Sequence, residues 1–374
     1  MPGPETRNLA LLRQKMDVEG LDAVVAVNKK SVIYLSNAPM AWADWAQRRA
    51  DGPRVHFVVW PRGSEPALVV PELERDVTVE HSWIPRVESY PEYVQTPYER
   101  LAEVLNDMGL RGKRIGIERR AVGATYWEEF TAGHRETRFV EAGPLLDSVR
   151  AAKTPAEIEL ARRACAQLDR AFLTVFSSAR PGVTEIDLHA AMHEALLARG
   201  CGEILGGLLS GERAMVIHRP ASHKPLVPGD IIRTDYVAVF DGRGANLSRV
   251  AVVGEPSPQQ QAIYKTLREI ELAVFDYIQP GVRACDVFKF YLRALETRRL
   301  SPDLRLLGHN IGIEVHEEPM IVQADTGVLE AGMVICIEPH ILRQYQIQDQ
   351  LLITPRGVEL LSNGFDTSKI FVIG

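Results

Sequence analysis

Cysteine is scarce in this 374-residue chain: Cys165, Cys201, Cys285 and Cys336 are the only four, and no CxxC pair occurs. That spacing suggests neither a zinc knuckle nor a redox dithiol, and it fits a thiol-reducing compartment. Long apolar runs are missing as well. No stretch reaches the ~18 uninterrupted apolar residues of a membrane span, and the opening MPGPETRNLALLRQKM lacks the apolar core of a secretion signal. No block of basic residues stands out, and the net charge of −6 argues against a nucleic-acid partner. Repeats and low-complexity tracts are also absent. The expectation is a cytoplasmic protein. The length suits two cores better than one.

What is present divides near residue 150. Residues 1–150 interleave helical and strand patterns. LALLRQKMDVEGLDAVVAV reads as an amphipathic helix and a buried strand ended by a turn at Asn28-Lys29-Lys30, and VHFVVWP, EPALVVP and RIGIE read as further strands. This predicts an α/β layer domain. Thr154-Pro155-Ala156-Glu157 is then a strong helix start, with a Thr cap, Pro in the first turn and Glu three residues after the cap. Residues 151–374 place helices first and strands later, which predicts an α+β domain.

The second domain carries the polar residues of interest. TDYVAVFDGRGANLSR holds two alternating runs around Asp241-Gly242. A two-residue hairpin there sets Val237 opposite Asn246 and puts Asp235, Asn246 and Ser248 on one face. GHNIGIEVHEEP carries His309 and His316 with Gly308 and Gly312 around the first histidine, where glycine permits close approach of backbone or ligand. MVICIEPHI reads as a strand with Cys336, Glu338 and His340 on one face, and a Glu in so apolar a run needs a partner. QYQIQDQLLIT aligns Gln346, Gln348 and Gln350, and HRPASH places His218 upstream of the Asp235 strand.

In order and spacing these segments resemble the creatinase/prolidase/methionine aminopeptidase superfamily (family M24) over nearly the whole chain. The resemblance implies a pita-bread C-terminal domain behind a smaller α/β creatinase/prolidase-like N-terminal domain. Its peptidases hold two metal ions with Asp, Asp, His, Glu and Glu. Those positions fall on Asp235, Asn246, His309, Glu338 and Gln348, so both bridging carboxylates are amides here. The same resemblance marks His218 as the position of the histidine base of creatinase, a metal-free member. Creatinase has a glutamate where Ser248 stands, and many of the peptidases have Arg where Gln346 stands.

From this comes the expectation of a metal-independent, creatinase-like hydrolase of a C–N bond in a small molecule, with no cofactor. His218 is the base, Asp235 and Glu338 are anchors, and His309 and His316 are polar partners. Asn246, Ser248, Gln346 and Gln348 form a neutral wall for the substrate. A lyase would need the same base. Two alternatives stay open: an Xaa-Pro dipeptidase or aminopeptidase with one divalent ion on Asp235, His309 and Glu338, and a non-catalytic binding protein. The resemblance further implies a homodimer, in which Trp42, Trp45, Arg48 and Arg49 of AWADWAQRR contact substrate.

Overall fold

A computed structural model describes residues 7–40 and 54–374. The chain forms two compact units, Met1–Arg150 and Ala151–Gly374. Trp42, Trp45, Arg48 and Arg49 lie outside the described residues.

The first unit is built on β1 (Ala23–Ala26), β2 (Phe57–Pro61), β3 (Ala67–Pro71), β4 (Arg86–Tyr90), β5 (Arg114–Ile117) and β6 (Arg138–Glu141). They form one sheet in the order β4-β3-β2-β1-β5-β6. Its inner strands are continuous apolar runs, because both faces are covered. Val25, Val59, Val69 and Ile115 share a core cluster with Leu101 and Val104 of the helix Pro97–Asp107. The edge strands β4 and β6 keep partly exposed, polar sequences, so they carry little strand signal. Asn28 does not open a turn. It precedes the helix Lys29–Ser36, and the buried Glu118 carboxylate accepts from the Val27 and Asn28 amides and from Ser31 Oγ. The sequence around Asn28 shows the break but not this capping partner 90 residues away.

The second unit opens with the helix Pro155–Ser178, capped reciprocally by Thr154 and Glu157 as the sequence predicts. Its strands are β7 (Glu203–Ser210), β8 (Ile231–Phe240), β9 (Arg243–Leu247), β10 (Val250–Val253), β11 (Leu306–Asn310), β12 (Glu317–Val322), β13 (Val334–Ile337), β14 (His340–Ile341), β15 (Tyr345–Gln346), β16 (Asp349–Thr354), β17 (Gly357–Leu360) and β18 (Phe371–Ile373). One sheet runs β18-β10-β8-β7 with β9 paired to β8, a second runs β12-β11-β13-β16-β17, and β14-β15 is a short hairpin. Helices Pro155–Ser178 and Glu185–Leu197 share one core cluster, and helices Pro258–Tyr277 and Ala284–Glu296 share another. Strand β13 feeds both: Val334 and Cys336 enter the first cluster, Ile335 and Ile337 the second. This is the pita-bread fold. The two sheets meet at an isolated bridge between Ser248 and Gln348, and the polar residues gather there.

Candidate active site

The β8–β9 hairpin has the register its sequence predicts. Asp241 and Gly242 both adopt positive φ, 50° and 71°, and Val237 pairs with Asn246. Asp235 and Asn246 therefore share a face, and Asn246 Nδ2 donates to Asp235 Oδ1 at 3.0 Å. Across the sheet junction, Gln348 Nε2 donates to Asn246 Oδ1 at 2.7 Å, and Ser248 Oγ donates to Gln348 Oε1 at 3.2 Å. The hydrogen bonds thus run in one direction, from Ser248 through two amides to Asp235. Arg249, fully buried, fixes this junction by donating to the backbone oxygens of Ser248 and Gln348 and pairing with Asp169 at 2.7 Å and Asp349 at 3.0 Å. Composition gives no hint of that clamp, since its carboxylates come from distant segments.

His309 projects from β11 into the same space. Its Nδ1 lies 3.1 Å from the Asn310 carbonyl, which assigns the proton to Nδ1 and leaves the Nε2 lone pair facing inward. That Nε2 is 3.5 Å from Gln348 Nε2 and 3.9 Å from Glu338 Oε1. Burial, with a smaller contribution from His316, pushes the His309 pKa down to about 3, so the ring is neutral. It therefore does not serve as the proton donor to a leaving group. Gly308 beside it admits backbone rather than ligand: a Cβ there would meet the Cys336 carbonyl oxygen at 2.0 Å.

Glu338 follows β13 directly. The expected long strand stops at Ile337, before Pro339, so His340 belongs to the separate β14 and pairs with Gln346. The three glutamines are likewise divided. Gln346 sits in the β14–β15 hairpin, Gln348 at the junction and Gln350 in β16 opposite Cys336. Gln346 Nε2 donates to Glu338 Oε2 at 3.3 Å. Burial raises the Glu338 pKa well above the ordinary carboxylate range, and the neighbouring Asp235 charge raises it further. Asp235 is also raised by burial, against the opposing effects of Asn246, Gln346, Arg233 and His218.

Above this floor is a cleft of about 580 Å³, lined by Asp235, Asn246, His218, His316, Arg233 and the apolar Leu205, Val237 and Val315. Its size suits a small ligand. His316 stacks edge-on to His309 at 4.4 Å, and its pKa is lowered by burial, against the pull of Asp235. His218 is exposed at the rim, with φ 62°. The loop carrying His218 is tied by Glu185, whose buried carboxylate accepts from Ser210, Arg213 and Ser222 on both sides of the loop. So the structure gathers Asp235, Asn246, Ser248, His309, Glu338, Gln346 and Gln348 at the junction. His218 and His316 stand on the cleft wall. The sequence reading missed Arg233, although it shares the alternation of Asp235 and Val237 along β8.

Residues 159–355 match the model of metallopeptidase family M24, and residues 9–152 match the creatinase/prolidase N-terminal domain. The chain belongs to family M24. An Xaa-Pro dipeptidase from Pyrococcus horikoshii is 27% identical over 354 residues, spanning 93% of this chain and 94% of that protein. A prolidase structure from Pyrococcus horikoshii superposes with TM-score 0.80 and 26% identity, covering 95% of this chain and 98% of that one. The Xaa-Pro aminopeptidase structure from Thermotoga maritima has TM-score 0.85 at 22% identity, covering 98% and 99%, a likeness of fold. The enzyme class is therefore a hydrolase of C–N bonds. These findings overturn two expectations, the metal-independent creatinase-like reaction and the absence of a cofactor: the family is one of metallopeptidases, and the relatives carry dipeptidase names.

The donor set decides how many ions these residues fit. A pair of ions needs bridging carboxylates between them, and both bridging positions are amides whose hydrogen bonds close on each other. The residues do not fit two ions. Asp235 and Glu338 carry the charge to match one divalent ion, and His309 presents a neutral nitrogen toward Glu338. Among the described residues no three His, Cys, Asp or Glu side chains enclose a common point as they stand. Asn246 holds Asp235 and Gln346 holds Glu338, and a cation competes with those two hydrogen bonds. In charge and donor chemistry, one ion fits.

Proposed function

We propose that this chain is a metal-dependent dipeptidase of the Xaa-Pro type that works with one divalent ion on Asp235, His309 and Glu338. The observation that carries the proposal is the carboxylate pair, Glu338 buried and Asp235 half-buried, with the neutral His309 imidazole 3.9 Å from Glu338. Two carboxylates whose pKa values burial raises, with Asp235 raising that of Glu338 further, form a site for positive charge. The curated relatives named Xaa-Pro dipeptidase supply the substrate class.

A bound divalent ion supplies Lewis-acid polarisation of the peptide carbonyl and a water that deprotonates near neutral pH. The chain's own residues do the rest. Asn246, Ser248 and Gln348 hold Asp235 in place and present no extra negative charge to the floor. Leu205, Val237 and Val315 give the ring and side chain of a dipeptide an apolar wall. His218 and His316 line the cleft, and in this reading they pass a proton to the leaving imino nitrogen. The homodimer and the cytoplasmic setting belong to this reading. Four free, buried cysteines support the reducing compartment, and sedimentation of the purified protein tests the dimer.

The test is cleavage of Ala-Pro by protein purified without chelator. Turnover should be removed by EDTA and restored by Mn²⁺. Turnover untouched by EDTA, or no cleavage of any Xaa-Pro dipeptide at saturating Mn²⁺, overturns it.

A further inference from the structure

A second pair of metal-ligating side chains lies outside the junction. The helix Glu185–Leu197 carries His189 and His193 four residues apart, and residues at that spacing are neighbours on one face. Their rings meet edge to face with centroids 4.4 Å apart. Both are partly exposed, whereas Leu188, Met192 and Leu196 beside them are buried in the core. The pair therefore sits on the flank of the helix, between core and solvent. His189 also lines the cleft.

The ring of His189 is held in place by β8. Its Nδ1 lies 2.7 Å from the hydroxyl of the fully buried Tyr236, and the two rings stack with planes 28° apart. With Nδ1 committed, Nε2 points away from Tyr236 and is the nitrogen left for a ligand. A histidine whose other nitrogen is held by a hydrogen bond is the usual arrangement at a metal ion. An ion selects the tautomer in which the Nδ1 proton is donated to the Tyr236 oxygen. Burial and then the neighbouring His193 lower the His189 pKa, and no carboxylate opposes them. The ring therefore keeps its lone pair at neutral pH.

We infer that His189 and His193 hold a divalent ion of the Zn²⁺, Ni²⁺ or Cu²⁺ class, at a site separate from Asp235, His309 and Glu338. Two histidines four residues apart on a helix can both reach one ion. Among the described residues no third His, Cys, Asp or Glu completes the set, so water fills the remaining positions. Helices that use this spacing in peptide hydrolysis carry a glutamate base directly after the first histidine. Ala190 stands there, so the pair is a binding site and not a second catalytic centre. The donors also set the choice of metal. Neutral imidazoles favour Zn²⁺, Ni²⁺ and Cu²⁺, whereas Mn²⁺ and Mg²⁺ prefer charged oxygens such as those of the junction. The inference does not depend on the dipeptidase reading.

The test is calorimetric titration of the metal-free protein with Ni²⁺, for wild type, His193→Gln and His193→Asp. His81→Gln is the control, removing a single histidine at the end of the helix Arg75–His81. His193 is partly exposed, so its variants should keep the fold, and thermal unfolding checks this. Wild type should bind about one Ni²⁺ more per chain than His193→Gln. His193→Asp keeps a ligand at the same spacing and should recover part of the affinity, and His81→Gln should match wild type. With Mg²⁺ in place of Ni²⁺, wild type and His193→Gln should bind alike. Equal Ni²⁺ uptake by wild type and His193→Gln, or an equal deficit in His81→Gln, overturns the inference. A deficit with Mg²⁺ as large as that with Ni²⁺ overturns the class of ion. A single Ni²⁺ that His193→Gln abolishes upholds the histidine pair and removes the ion at the junction. A single Ni²⁺ that His193→Gln retains does the reverse.

Discussion

Replacing the two junction amides with the carboxylates of the two-ion peptidases, Asn246→Asp with Gln348→Glu, should produce a protein whose stability depends on metal. Both side chains are buried, Gln348 fully and Asn246 with 4% exposed. In the native chain Gln348 Nε2 donates to Asn246 Oδ1 at 2.7 Å, and Asn246 Nδ2 donates to Asp235 Oδ1 at 3.0 Å. The double variant removes both donors and places two new anions against Asp235 and Glu338, which already repel one another. An uncompensated buried charge costs about 3–5 kcal/mol, and the new carboxylates can lower that by taking protons. With roughly 2–4 °C per kcal/mol for a unit of this size, unfolding in EDTA should fall on the order of 10 °C below wild type. Millimolar Mn²⁺ should restore the loss, and metal content should rise from one ion to two. The assay is thermal unfolding with and without chelator, paired with metal analysis. A variant as stable as wild type in EDTA, or one that takes up no second ion, would refute the assignment of these amides to the bridging positions.

Other consequences can be checked separately. His218→Ala should lower kcat on the order of 100-fold or more with metal content and unfolding temperature unchanged; a kcat within threefold of wild type removes His218 from proton transfer. Glu185→Ala removes the acceptor that Ser210, Arg213 and Ser222 share. Proteolysis should then nick the 211–222 loop sooner, and an unchanged cleavage pattern would show that the loop holds without it. His340 is buried, and its pKa is pushed down to about 4 by desolvation and then by Arg233. A histidine with a lowered folded pKa is neutral when folded while the unfolded chain takes up a proton below about 6.5. Its contribution is therefore present above pH 6.5 and declines as pH falls toward 4, by about 3 kcal/mol in all. His340→Gln should flatten the fall in unfolding temperature between those limits, and an unaltered slope would contradict this.

The fold was legible where one short segment carries its own signal. Thr154 to Glu157 contains the whole capping box, and Asp241-Gly242 with its flanking alternation contains the whole hairpin register. Signals were weaker where a strand sits at an edge, as in β4 and β6, or where proline interrupts an apolar run, as at Pro339. The junction residues were found from motif spacing, but their connections were not. The amide chain from Ser248 to Asp235 and the Arg249 clamp join segments 80 to 102 residues apart, and no local pattern encodes such partners. Arg233 was missed for a different reason. In sequence it is one charged residue in an apolar strand, and only the cavity marks it. The loss of two carboxylates weighed toward a metal-independent reaction in the sequence, and the alternative with one ion on Asp235, His309 and Glu338 is the one that the metallopeptidase relatives favour.

Metal content by plasma mass spectrometry, on protein purified without chelator and then equilibrated with Mn²⁺, tests the central claim most directly. The expected content is about one ion per chain, lost on His309→Ala. Two ions per chain would contradict the assignment of Asn246 and Gln348, and less than about a tenth of an ion would contradict the metal-dependent mechanism itself.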